Sequence, residues 1–326
     1  MMTQLIRKLF LLAVAGITLS SALVVGYGRR GFSGWAEPVN LGVLVNSAAN
    51  DQHPAISKDG LSLYFISSRP GGLGGQDIYV SQRESPNDTW GPPVNLGPNV
   101  NSANTENAPA LSRNGRLLFF GSTRLGGCGG LDLWVARRRN KHDDFGWEPT
   151  VNLGCTINTA YDEDGPTYFR DEENGVTTLY FTSLNRPGNI GDYDIYASTL
   201  QADGTFGLGQ LIPELCSTDR DTRTSISRNG LEMFITSNRA GGLGGLDLWV
   251  ATRASTCDTW SVPANVGAPV NTAANDGAPA LSFDGTTLYF YSTRPGGYGG
   301  NDLYVTTRAR IRGHLPDEPN KLDSLQ

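Results

Sequence analysis

Apolar and polar positions along this chain fall into short runs, not into long amphipathic stretches. An Ala-Ile segment (residues 53–57), an alternating Leu-Tyr-Phe-Ile run (61–67), Asp77–Ser81 and Trp90–Leu96 follow one another, separated by clusters of Gly, Asn, Asp and Pro. Runs of five to seven residues rich in aromatic and β-branched side chains, bounded by turn residues, predict β-strands. The turn between the first two runs is Asp59-Gly60, with counterparts at Asn114-Gly115, Asn174-Gly175, Asn229-Gly230 and Asp284-Gly285. Such pairs supply the positive φ that a tight hairpin demands.

The same four-strand pattern recurs. "WAEPVNLGVLVNSAANDQHPAISKDGLSLYFISSRPGGLGGQDIYV" from Trp35 returns as "WGPPVNLGPNVNSANTENAPALSRNGRLLFFGSTRLGGCGGLDLWV" from Trp90. It returns again from Trp147, more loosely near Leu208, and clearly from Trp260. Five copies over residues 35–308, each of four antiparallel strands, predict an all-β, five-bladed β-propeller. The chain opens on a lone fourth strand, Trp35–Leu41, and ends after a third strand near Thr307. Pairing of these ends closes the ring and leaves no open edge.

Composition agrees and narrows the function. Glycine supplies 41 of 326 residues, the mark of many tight turns. A net charge of −6 provides no basic footprint, which excludes nucleic acid as the expected partner. Residues 1–26 carry Arg7 and Lys8, an apolar run from Leu9 to Val25 and small residues at Ser20-Ser21-Ala22, the form of a signal peptide. The expected location is the periplasm or the outside of a bacterial cell, with membrane attachment only if that segment stays uncleaved as an anchor. Residues 309–326 read as a polar tail.

The segments "PAISKDGLSLYFISSRPGGLGGQDIYV", "PALSRNGRLLFFGSTRLGGCGGLDLWV" and "PALSFDGTTLYFYSTRPGGYGGNDLYV" resemble the TolB-type WD-repeat-like propeller unit, also found beside OmpA-type domains in bacterial envelopes. The resemblance implies a periplasmic or surface-associated binding platform, usually for protein partners. It brings no catalytic residue and no cofactor. The expected reading is a monomeric, non-enzymatic propeller that docks an envelope protein or a glycan. The alternative is a carbohydrate-active propeller, lectin or glycoside hydrolase, using an acidic channel mouth.

Three positions are filled alike in every copy. An acid opens the first strand (Asp51, Glu106, Glu163, Asp221, Asp276), an arginine follows the second (Arg69, Arg124, Arg186, Arg239, Arg294), and an aspartate opens the third (Asp77, Asp132, Asp194, Asp247, Asp302). The leading acids are expected to ring one mouth of the channel. The arginines, each held between two carboxylates, are expected to be structural. Between glycine pairs stand Leu73, Cys128, Leu243 and Tyr298, exposed tips offering a contact surface on the same face. Departures from symmetry are more informative. Asp162-Glu163-Asp164 and Asp171-Glu172-Glu173 are acidic runs open to a calcium reading, and the fourth copy substitutes "LIPELC" for "PVNLG". Arg223 stands where other copies have His53, Ala108, Gly165 and Ala278. Both His53 and Arg223 are candidate ligand-binding residues. Cys155 and Cys216, just after successive outer strands, are the predicted disulfide.

Overall fold

The computed structural model describes residues 31–311, and its compact unit spans Phe32–Arg310. The signal-like segment and most of the predicted tail lie outside the described residues.

Five four-stranded antiparallel sheets follow in chain order. In the first blade the innermost strand is Asp51–Ile56, followed by Ser62–Ser67, Asp77–Gln82 and a two-residue outer strand, Val94–Asn95. The innermost strands of the other blades are Glu106–Leu111, Asp162–Arg170, Asp221–Ile226 and Asp276–Leu281. Closure follows the predicted route, because Val39–Asn40 pairs with Asp302–Thr307 as the fourth strand of the last blade.

Second and third strands are buried on both faces, which is why their sequences run nearly continuously apolar. The core is accordingly divided among the gaps between blades. Tyr64, Ile66, Leu118 and Phe120 share one cluster, while Leu63 and Phe65 face Tyr289 and Leu303 across the closing gap. The repeated tryptophans pack at the blade edge. The guanidiniums of Arg83, Arg138, Arg253 and Arg308 lie 4.2–4.4 Å from the rings of Trp90, Trp147, Trp260 and Trp35. The same arginines donate to the hairpin carbonyls of Gly60, Gly115, Gly230 and Gly285. Each contact combines ring, charge and turn in one lock.

The strap from each outer strand to the next blade is pinned by a buried asparagine. Asn101 bonds both the N–H and the carbonyl of Ile78, and Asn46, Asn158 and Asn271 repeat this on Leu303, Leu133 and Leu248. In the fourth strap, where Pro213–Leu215 forms a 3-10 turn, Cys216 takes that place. Its Sγ accepts from the Ile195 N–H at 3.3 Å and donates to the Ile212 carbonyl at 3.2 Å.

Candidate functional site

The shared acids do not ring the channel mouth. Asp51, Glu106, Glu163, Asp221 and Asp276 are fully buried, turned from the channel into the strap of their own blade. Each accepts the N–H and hydroxyl of a strap Ser or Thr, as Asp51 does from Ser47 and Asp276 from Thr272. Four of them also hold an arginine: Asp51–Arg69 at 2.7 Å, Glu106–Arg124 at 2.9 Å, Asp276–Arg294 at 2.8 Å, and Asp221–Arg239. Blade three departs. One extra residue, with Asn185 at φ 52°, precedes Arg186, which keeps the stacking on its third-strand ring that the other four arginines make (Tyr196, 4.7 Å) but has a buried Nη1 without a partner. Burial then pushes the Glu163 carboxyl above its usual range against hydrogen bonds from Thr159 and Ser183.

The third-strand aspartates do not share the arginines either. Asp77, Asp132, Asp247 and Asp302 take an amide from Asn95, Asn152, Asn265 and Asn40, and all five, Asp194 included, cap the N–H groups of their glycine loops. A carboxylate here fixes the loop tip, and the tips of Leu73, Leu243 and Tyr298 remain about half exposed. The loops need glycine for a second reason. A Cβ on Gly74, Gly129, Gly191, Gly244 or Gly299 would run into a carbonyl oxygen of the next strap.

The disulfide is Cys128–Cys155, with Cα atoms 5.6 Å apart, and Cys216 is free. The predicted Cys155–Cys216 pairing fails because the 3-10 turn changes the register of the fourth strap. Cys216 occupies the position of Asn158, three residues beyond the one that Cys155 fills. Burial raises its thiol pKa far above the ordinary value, so it packs as a small inert side chain.

The acidic run 162–164 is divided among three partners. Asp162 accepts from the Leu131 N–H at 2.9 Å, Glu163 joins its strap, and Asp164 enters the channel. Among the described residues no three His, Cys, Asp or Glu side chains are arranged to hold a metal ion.

What the structure does bring together are the unlike residues. All five inner strands carry a one-residue bulge: two residues face one across the ladder between Gln52 and Ala55 and its equivalents in blades two, three and five, and Arg223 is inserted between the paired Thr222 and Thr224 in blade four. His53, Ala108, Arg223 and Ala278 there adopt φ of 45–53° and Gly165 φ 59°, a region costly for residues with a side chain. The bulge breaks the two-residue alternation, so second and third residues meet in one network. Arg223 Nη2 pairs with Asp164 Oδ2 at 2.6 Å, and its Nε donates to His53 Nε2 at 3.3 Å. His53 Nδ1 donates to Asn107 Oδ1 at 2.6 Å, and Asn107 Nδ2 donates to Asp164 Oδ2 at 2.8 Å. The ring of bonds assigns a neutral imidazole protonated at Nδ1. Burial and the neighbouring Arg223 charge hold the His53 pKa well below its ordinary value, despite the Asn107 bond that raises it. Arg223 Nη1 is a buried donor left over.

Room for this network is built into the neighbouring strands. A Cβ on Gly121 would stand 2.6 Å from Asp164 Oδ1, one on Gly165 2.8 Å from Arg223 Nη1, and one on Gly277 2.9 Å from the Tyr291 hydroxyl. At the mouth above it, Tyr193 lies beside Asp164 and Arg223, burial and the Asp164 charge raising its phenol pKa. The Arg220 guanidinium sits 4.8 Å over that ring and pairs with Asp192 at 3.0 Å. Asn107, Asp164 and Tyr193 were not singled out as partners of His53 in the sequence. The signal was there, since Gln52, Asn107, Asp164, Thr222 and Gly277 are all different at a position where neighbours repeat.

No family model and no curated protein matches the chain. Solved structures do match. An endo-arabinase from Bacteroides thetaiotaomicron is 18% identical, with a TM-score of 0.58 over 85% of this chain and 98% of that one. An α-L-arabinofuranosidase from Lactobacillus brevis is 16% identical, with a TM-score of 0.56 over 82% and 92%. Another from Podospora anserina, in complex with cellotriose, is 12% identical, with a TM-score of 0.51 over 85% and 97%. Identities this low show the fold. The expectation of a non-enzymatic docking platform is corrected by these neighbours, since propellers of this fold that match are named as an endo-arabinase and as α-L-arabinofuranosidases.

Proposed function

We propose that this chain is a carbohydrate-active propeller that holds a saccharide at the channel mouth bearing Asp164, Arg223, His53 and Asn107. The carrying observation is the closed hydrogen-bond ring of four unlike residues, seated by glycines inside an otherwise repeated scaffold. Sugar hydroxyls both donate and accept, and this floor offers a carboxylate, a neutral imidazole, an amide and the unpaired Nη1 of Arg223. Tyr193 provides an aromatic edge beside them. The kinship in fold with arabinan-directed enzymes and with a cellotriose complex supports the same substrate class.

Binding is the part of the activity that these residues supply directly. Hydrolysis uses two carboxyl groups about 5–9.5 Å apart. Among Gln52, Asn107, Asp164, Thr222 and Gly277 and the residues that follow each of them, only Asp164 is a carboxylate, and it is paired with Arg223. The TolB-type likeness is then a likeness of the blade unit. The Cys128–Cys155 bridge supports export to an oxidising compartment.

Calorimetric titration with arabino-oligosaccharides, xylotriose and cellotriose tests the proposal, with release of reducing sugar followed in parallel. At least one should bind, and Asp164→Asn and Arg223→Gln should each weaken it about tenfold or more. Binding that both variants leave untouched, in protein with native circular dichroism, refutes the site.

A further inference from the structure

The opposite mouth of the channel has its own chemistry. At one position of the hairpin after the inner strand stand Lys58, Arg113, Glu172, Arg228 and Phe283. Phe283, half-buried, meets three cations, with Lys58 Nζ 4.6 Å, Arg228 4.8 Å and Arg113 5.0 Å from its ring centre. Glu172 bonds Arg113 at 2.5 Å and Arg228 at 3.5 Å. The nearby Asp59 and Asp284 are turned back into their own hairpins, accepting from Ser57 and from Ser282 and Thr286. Arg170 adds a fourth cation to the lining. The charged residues that line the cavity at this mouth are therefore four cations, Lys58, Arg113, Arg170 and Arg228, with no carboxylate among them, on a protein whose net charge is negative.

Beneath this rim the channel opens into a small cavity of about 170 Å³, room for a short chain rather than a drug-sized ligand. Ile56, Leu111, Ile226 and Leu281 supply the apolar part of its walls, between hydroxyl-bearing residues such as Ser112, Ser227 and Ser282. Its floor is a waist of prolines, Pro54, Pro109, Pro166 and Pro279, completed by Thr224. The waist separates this cavity from the His53–Arg223 network. Thr224 is 6% exposed, and its Oγ1 has no hydrogen-bond partner although it lines the cavity. The inner strand places about 13 Å between rim and waist, four residues at about 3.3 Å each.

We infer that this second mouth binds an acidic amphiphile, with its carboxylate among Lys58, Arg113 and Arg228 and its apolar body in the cavity beneath. Glu172 already shows the fit of a carboxylate to Arg113 and Arg228, and the ligand's own carboxylate competes with it there. This mouth shares no residue with the saccharide site.

Octanoate is the probe, titrated by calorimetry into the native chain at low salt, with octanol and octylammonium as controls. Octanoate should bind at least about tenfold more tightly than either control. Glu172→Gln, which removes the internal competitor, should tighten it, and Arg113→Gln with Arg228→Gln should weaken it about tenfold. Asp164→Asn on the far side of the waist should change nothing. The inference fails if octylammonium binds as well as octanoate, or if Glu172→Gln leaves the affinity unchanged. The second readout holds even if the double arginine variant does not fold, because Glu172 is exposed and its amide keeps the shape.

Discussion

Replacing Arg223 by methionine tests whether the channel network is a coupled unit or a set of side chains that merely lie close. The Arg223 side chain is 13% exposed and that of Asp164 is 2% exposed, so the pair is nearly out of water. Without the guanidinium, the Asp164 carboxylate keeps only the Asn107 amide and the Gly165 N–H, at 2.8 and 2.7 Å. Stranding one member of a buried pair costs about 3–5 kcal/mol. The two remaining donors and the residual exposure of Arg223 place this case near about 3 kcal/mol. A domain of this size loses roughly 2–4 °C of Tm per kcal/mol, so Arg223→Met should melt about 6–12 °C lower. Adding Asp164→Asn should recover much of the loss, because the amide carries no charge to strand. Urea denaturation of the two single variants and the double variant at pH 7 closes the cycle, with an expected coupling of about 2 kcal/mol. Strict additivity, or an Arg223→Met variant within about 0.5 kcal/mol of the parent, would show that the ring of bonds does not act as a unit.

Three further outcomes follow from contacts elsewhere. Because His53 stays neutral in the fold while an unfolded histidine takes up a proton near pH 6.5, stability should fall as pH drops below about 6.5, by up to about 1.4 kcal/mol per pH unit. His53→Gln should flatten that limb, and superimposable pH–stability curves would contradict the assignment. Gly244→Ala forces a methyl onto the Ala274 carbonyl and should cost about 3 kcal/mol, whereas Gly34→Ala, with nothing within 4 Å, should stay within about 0.5 kcal/mol by denaturant titration. Cys128→Ser opens a bridge between residues 27 apart and should lose about 3–4 kcal/mol. Non-reducing peptide mapping should recover Cys128 linked to Cys155, and a Cys155–Cys216 fragment would overturn that pairing.

Blade number, ring closure and hairpin positions were all legible in the sequence, since each rests on a local signal that recurs. Asn-Gly and Asp-Gly pairs, two-sided apolar strands and a displaced fourth strand need no knowledge of neighbours. The shared Arg and acid were also legible as scaffold, though not their partners. Spacing alone cannot show that Asp77 bonds Asn95 and its own loop while Arg69 bonds Asp51. The spacing misleads on the disulfide because the strap with the 3-10 turn at Pro213–Leu215 is shorter than its neighbour, so Cys216 falls at the place of Asn158, three residues beyond that of Cys155. The leading acids were misplaced for a related reason. A plain alternating strand would carry a fixed side-chain direction along its length, and the left-handed residue at His53 and its equivalents interrupts it.

The same interruption explains how a repeated scaffold acquires a single site. In a five-fold ring, any large side chain aimed at the axis meets four copies of itself, so a symmetric channel must be lined by small residues. Ala108, Ala278 and Gly165 satisfy that limit, and they leave space that two larger residues, His53 and Arg223, can share. Each enlargement then needs a local deletion beside it. Gly165 stands under Arg223, Gly121 under Asp164 and Gly277 under Tyr291, each too close to admit a Cβ without displacing its neighbour. Alanine at Gly121 therefore separates two roles that the repeat alone cannot. If Gly121 only relieves strand packing, Gly121→Ala should cost stability and leave saccharide affinity intact. If it positions Asp164, the affinity should fall about tenfold together with a change in the pH dependence of binding, while the far-side octanoate titration stays unmoved.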